Sequence, residues 1–443
     1  MVFSSLLFLF RFLPITFLIY YLVPFRAKNT VLFLASLFFY TWGETKFFPI
    51  MLISIGINYV AGLLMERYDH NEKARKACFW VAFLVTLGFL LFFKYTNFFL
   101  SNINALLGLS LPLLDSVEFH LPLGISFYTF QILAYTMDVY RRKIKVEHNL
   151  IDFGAFVVLF PQLIAGPIVL YSDISRELKS RKITLAQIDE GVGLFIMGLA
   201  SKILLADTIG ALWTEVQTLG FSQVSTPLAW MGIIAYSFQI YFDFSGYSLM
   251  AIGLGRMLGF FFPQNFNYPY ISKSITEFWR RWHITLSSWF RDYVYIPLGG
   301  NRVKKSRQFF NIFVVWFLTG FWHGAAWNFI FWGLYFFVLL MIEKSLLLKH
   351  LEKSKVLSHV YLIFFIIISW GIFALSDLSQ MGALFNRMFS LHGGTDWMYY
   401  LRDYAAMFVL CILASTPFFK KLADSAAGKN RVVRTVFLAG VLV

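Results

Sequence analysis

Long apolar runs separated by short polar breaks dominate the chain. They extend roughly over 6–23, 31–40, 47–65, 77–93, 121–139, 153–170, 191–213, 228–252, 309–342, 360–374 and 404–419. Most reach or approach the roughly 20 residues a helix needs to cross a hydrocarbon core of about 30 Å, so the pattern predicts a bundle of membrane-crossing helices. The run at 153–170 is interrupted by Pro161 and Pro167 and is expected to be re-entrant or broken. The uncharged run from Gln308 to Ile342 counts 35 residues, about 52 Å as one helix, and must therefore break. Its expected break is Gly320–Gly324. The first run continues past Arg11 without a basic leader or a small-residue cleavage site, so a retained first helix is expected. Arg11 either faces the bundle interior or snorkels to an interface. The last run, Val432–Val443, is too short to span alone, so the C-terminal helices (356–443) are expected to be incomplete.

Composition sharpens this reading. Hydrophobic residues make up 58% of the 443 residues and charged residues only 14%, with a mean hydropathy of +0.66. That leaves too little polar surface for a water-soluble globule. The fold class is an all-α integral membrane protein, a polytopic bundle of about 10–12 spanning or re-entrant helices forming one domain over 1–443. The net charge of +14 comes from short basic clusters between apolar runs. Such clusters favour the cytoplasmic side and contact with anionic membrane lipids, and they argue against nucleic acid as a partner. Cys78 and Cys411 lie in apolar stretches and form no disulfide framework.

Two histidines stand apart from the six in or beside polar loops. His323, in LTGFWHGAAWNFIFWG, sits at the expected helix break at membrane depth, where an ionisable side chain suggests function; the competing reading is an interhelical hydrogen bond. His283 lies in SITEFWRRWHITLSSWFRDYVYIPLGGNR, where Trp279, Trp282, Leu286, Trp289 and Tyr293 recur at helical spacing. Arg280, Ser287 and Arg291 fall on another face of that predicted helix, which serves equally as a membrane-surface anchor or a catalytic element. Asp243, a lone acid in an apolar stretch, is expected to be packed and hydrogen-bonded. Gly255 and Gly259 are expected to let helices approach closely. HExxH, GxSxG and Cys/His clusters are absent from the sequence, so metal hydrolysis and serine-elbow chemistry have no support. An imidazole can still take a proton from a hydroxyl as its oxygen attacks an acyl group.

Several segments together resemble the membrane-bound O-acyltransferase family, in particular its bacterial alginate-acetylating branch. These are MVFSS, FYTWGE, LPLGISFYTFQ (121–131), PQLIAGPI (161–168), YFDFSGYSLMAIGLGRMLGF (241–260), NFNYPY (265–270), FWRRWHITLSSWFRDYVYIPLGGNR (278–302) and TGFWHGAAWNFIFWG (319–333). The motif core spans about 121–342. The resemblance implies a helical bundle around a central cavity, an essential histidine at His323 and a second functional position at His283. Trp279, Arg280, Trp282, Arg291, Trp322 and Asn328 are the candidates to line the substrate cavity. It also implies a cytoplasmic acyl thioester as co-substrate, acetyl-CoA or a carrier-bound acyl group, with no tightly bound cofactor and no metal. The acetyl group would cross the bacterial inner membrane toward an exported polysaccharide, with an extracytoplasmic acetyltransferase and an acyl carrier protein as expected partners. D-alanyl transfer to teichoic acid and a non-enzymatic transporter or export channel are the competing readings.

Overall fold

The computed structural model describes residues 3–115 and 118–423. Among them every regular element is a helix, and six helices are long and apolar enough to cross a membrane. The chain is an all-α, polytopic membrane protein. In order, the helices are α1 (Phe8–Leu22), α2 (Phe25–Gly43), α3 (Phe48–Arg67), α4 (Glu72–Leu107), α5 (Ile125–Tyr140), α6 (Leu150–Val158), α7 (Phe160–Leu163) and α8 (Tyr171–Lys179). Then follow α9 (Leu185–Leu219), α10 (Thr226–Leu258), α11 (Ile275–Arg281), α12 (Ile284–Phe290), α13 (Lys305–His323), α14 (Trp327–Ile342), α15 (Lys355–Ala374), α16 (Leu378–Phe389) and α17 (Asp396–Ala414). The Val432–Val443 run lies outside the described residues.

The helices cluster into two compact units. The first comprises 1–192 and 251–263, the second 193–250 and 264–443. In the first unit α5 is buried on nearly every face, and polar side chains tie helices together where no water can serve them. Asn58 of α3 donates to Thr86 Oγ1 of α4 at 2.7 Å and accepts from Thr136 Oγ1 of α5 at 2.7 Å. Each such bond costs more to leave unmade in an apolar interior than it contributes when made, so the network fixes helix register. The 153–170 segment is broken: α6 ends at Val158, α7 is a single turn carrying Pro161, and 164–170 is non-helical. Its backbone is nonetheless buried in protein, the condition under which irregular structure survives at membrane depth. Arg11 is exposed on α1, which selects the outward-facing alternative.

In the second unit the chain turns the 35-residue apolar run into a helical hairpin, α13 and α14. The helix continues through His323 and the break falls at 324–326, starting at Gly324, the last residue of the expected Gly320–Gly324 break. Gly320 is used for packing instead: a Cβ there would lie 2.3 Å from the Phe329 carbonyl oxygen, and one on Gly333 would lie 2.4 Å from the Trp316 carbonyl oxygen. The two backbones touch, which only glycine permits. The close approach expected of Gly255 and Gly259 is made elsewhere. Gly198 of α9 and Gly246 of α10 meet backbone to backbone, whereas Gly255 accommodates the Phe262 ring and Gly259, at φ +88°, terminates α10. Asp243 is also not packed away. Its side chain is 52% exposed and pairs with Lys202 Nζ at 2.9 Å, a lysine that also holds Asp207 at 2.7 Å. The ion pair satisfies the acid without burying it.

Candidate active site

Both histidines lie in the second unit, and each occupies the end of a helix. The single helix expected to carry Trp279 to Tyr293 does not form. It stops at Arg281, and α12 starts at Ile284, with His283 between them at φ 44°, ψ 54°. A left-handed conformation is costly for a residue with a Cβ, on the order of 1–2 kcal/mol, and persists only when surrounding contacts impose it. The imposing residue is Asn265, fully buried. Its carbonyl accepts from the Ile284 N–H at 2.9 Å, and its Oδ1 accepts from Thr285 Oγ1 at 2.9 Å and from the Thr285 N–H at 3.3 Å. The side-chain amide donates to Ser248 Oγ at 3.1 Å.

Those contacts fix the chemistry of His283. Because Asn265 Oδ1 already receives the Thr285 N–H, it is the acceptor in the 3.1 Å contact with His283 Nδ1. The imidazole therefore carries its proton on Nδ1 and its lone pair on Nε2. Nε2 is buried and has no hydrogen-bond partner among the described residues. The ring is 1% exposed and meets Phe244 edge-to-face at 4.7 Å. Burial in these surroundings pushes its pKa down to about 3, so His283 is a neutral imidazole at physiological pH.

His323 is the last residue of α13 and is half-buried. Aromatic rings wall it in, all three edge-on: Trp322 at 4.9 Å, Trp332 of α14 at 5.0 Å and Phe373 of α15 at 5.2 Å. Trp322 also faces His283 at 6.1 Å, so one indole touches both imidazoles. The turn after His323 is shaped by Gly324, where a Cβ would lie 2.1 Å from the Phe329 ring. Asn328 locks the assembly by donating to the Phe373 and Ile372 carbonyl oxygens at 3.1 and 3.3 Å, which brings the end of α15 against His323. Its Oδ1 is buried without a partner among the described residues.

The remaining candidates divide. Trp279 is buried against Trp316, Trp332 and Phe336, and so backs the ring that touches His323. Trp282 is buried on Trp370 at 4.8 Å and on Phe278, in the same aromatic core. Edge-to-face contacts of this kind contribute roughly 0.5–1.5 kcal/mol each beyond burial. Arg280 is exposed, and Arg291 is 59% exposed and engaged with Asp292 at 2.7 Å. Neither is brought to the histidines. Two residues that organise the site carry no periodic signal. Asn265 is one, visible only as the first residue of NFNYPY. Glu343 is the other: fully buried, it accepts from the Ile275 and Thr276 N–H groups at 2.7 and 3.0 Å and anchors the start of α11.

The site thus offers two neutral-capable imidazoles, one half-open and one sealed, in an apolar aromatic setting at membrane-helix ends. Such an arrangement can accept a proton from a hydroxyl. Comparison with known proteins agrees with that chemistry. Residues 34–383 match the membrane-bound O-acyltransferase family. The chain is 41% identical over 400 residues to a protein of Azotobacter vinelandii named probable alginate O-acetylase, covering 90% of this chain and 79% of the relative. It is 36% identical over 435 residues to the peptidoglycan O-acetyltransferase of Helicobacter pylori, covering 89% and 80%. Similarity to the teichoic acid D-alanyltransferase of Streptococcus thermophilus is narrower, 31% over 246 residues and 53% of this chain. The chain belongs to the membrane-bound O-acyltransferase family and is a multi-pass membrane O-acyltransferase.

Proposed function

We propose that this enzyme moves an acetyl group from a cytoplasmic thioester donor, across the inner membrane, toward hydroxyls of an exported cell-envelope polysaccharide, with His323 as the general base. The hydroxyl oxygen attacks the thioester carbonyl carbon, the C–O bond forms and the C–S bond breaks. The hydroxyl proton goes to the imidazole and from there to the departing thiolate. A water-poor pocket of aromatic walls favours this route because hydrolysis of the thioester competes wherever water enters. The observation that carries the assignment is the half-buried His323 ring, held at a helix end by Trp322, Trp332 and Phe373. His283 supports it as a neutral imidazole with an available Nε2, one indole away.

The polysaccharide acceptor is supported by the relatives, one named as a probable alginate O-acetylase and one as a peptidoglycan O-acetyltransferase. An extracytoplasmic acetyltransferase and an acyl carrier protein are proposed as partners on the two sides. The test is a His323→Ala variant expressed in its host, with membrane levels quantified and the ester-linked acid released from the envelope polymer identified by mass. Wild-type cells should release acetate, and the variant, present at normal levels in the membrane, should release none. Unchanged acetate in the variant refutes the base assignment, and release of D-alanine instead refutes the acetyl assignment.

A further inference from the structure

Away from the histidines, the first unit holds a group of cations. Where α1 gives way to α2 at the Val23–Pro24 turn, Lys28 Nζ sits 4.3 Å over the Tyr20 ring, and the Arg181 guanidinium sits 5.6 Å from the same ring. Arg181 is further walled by Phe25 at 5.3 Å and Phe260 at 4.5 Å. Its bonds go to neutral atoms: Tyr20 Oη at 2.8 Å, Asn29 Oδ1 at 2.7 Å and the Glu177 carbonyl at 3.0 Å. Its Nη2 is buried with no partner among the described residues. Lys28 donates only to the Tyr20 carbonyl, at 2.6 Å. Its ammonium is held below the ordinary lysine range, first by burial and then by the neighbouring guanidinium.

Two cations thus share one tyrosine ring, and neither is ion-paired with a carboxylate among the described residues. Asp152, which accepts from the Asn29 amide at 2.7 Å, is paired with Lys179 at 2.7 Å, as is Glu147. Arg26 and Lys182, exposed beside them, add charge of the same sign. Like charges packed this way repel unless an anion sits between or against them. The surround says which kind. Phe25, against Arg181, is 37% exposed; Leu22, at the turn before Lys28, is 76% exposed, and Phe261, next in the chain to the Phe260 that walls Arg181, is 43% exposed. An anion carried by an acyl chain meets both the charge and the exposed rings.

We propose that Lys28 and Arg181 form a binding site for a phosphate oxyanion, supplied by the headgroup of an anionic phospholipid whose chains lie along Leu22, Phe25 and Phe261. The one guanidinium nitrogen still without an acceptor, Nη2, donates to a phosphate oxygen that enters the cluster, and the lysine supplies a point charge beside it. Basic pockets between membrane helices recognise lipid headgroups by this chemistry.

The experiment uses the full chain, delipidated in detergent and offered phosphatidylglycerol and phosphatidylcholine in equal amounts, with retained lipid counted by native mass spectrometry. Wild type should enrich phosphatidylglycerol. Lys28→Gln should weaken that enrichment about fivefold, the effect typical of one cation at an anionic leaflet. Arg181→Gln should weaken it at least as much, and Arg181→Lys should recover part of it. Because Arg181 also ties Tyr20 to Asn29, its variants can lose fold. Lys28→Gln gives up one bond to a carbonyl and keeps the test decisive. Equal enrichment in wild type and Lys28→Gln overturns the site. Binding of coenzyme A that depends on Lys28, with phosphatidylglycerol enrichment unmoved, overturns the lipid in favour of the donor's phosphates.

Discussion

Replacing Asn265 by Ala tests whether the tautomer of His283 is imposed from outside the ring. The substitution deletes one acceptor serving three donors, the His283 Nδ1–H at 3.1 Å, Thr285 Oγ1 at 2.9 Å and the Thr285 N–H at 3.3 Å. The hydroxyl can re-aim, but the other two are fixed and buried. At roughly 1–3 kcal/mol for each unsatisfied buried group, the expected destabilisation is about 2–6 kcal/mol. Asn265→Asp separates geometry from charge. It keeps the acceptor but places a carboxylate against Nδ1, which favours the imidazolium and removes the Nε2 lone pair near neutral pH. Both variants should be purified in nanodiscs and measured for thermal unfolding and for thioester turnover against pH. The alanine variant should melt earlier and turn over slowly at every pH. The aspartate variant should stay folded, with its activity displaced to higher pH. Wild-type melting and an unshifted pH profile in both would refute the positioning role of Asn265.

Two further outcomes follow from the same geometry. Gly324→Ala should abolish accumulation of folded protein in the membrane, because the new Cβ would lie 2.1 Å from the Phe329 ring, whereas Gly56→Ala, with nothing within 4 Å, should be neutral; immunoblots of washed membranes distinguish them. For His283, the unfolded chain titrates near 6.5 and the folded ring only near 3, so the unfolded state binds more protons between those values. Stability is therefore independent of this group above about pH 6.5 and falls as the pH drops below it. Its neighbours Asn265, Phe244 and Trp322 are neutral and do not offset the effect. Melting temperature measured from pH 7 to 5 should fall more steeply in wild type than in His283→Gln.

Hydropathy located most spanning helices because the bilayer imposes one length and one polarity on each, and it placed His323 at a break because 35 uncharged residues cannot form one span. It began that break at Gly320, whereas only its last residue, Gly324, belongs to it. Gly320 reads as a helix breaker when alone, yet here it is the point where α13 and α14 touch, a property of two helices and not of one. The same limit explains α11 and α12. Trp279 to Tyr293 keep a helical period, and nothing local announces that Asn265, 18 positions earlier, captures His283 and Thr285 and turns the chain. Arg280 and Arg291 shared the motif with the buried tryptophans but face outward. Spacing alone cannot separate a charge that lines a site from one that meets solvent or headgroups when both sit on one short helix.

Trp322 rests against both imidazoles. A charged imidazole quenches the emission of an indole it touches, while a neutral one leaves it bright. With His283 held neutral, a charged His323 would dim both Trp322 and the Trp332 indole on its other side, so the loss of tryptophan emission on removing either indole would read the charge of that one ring.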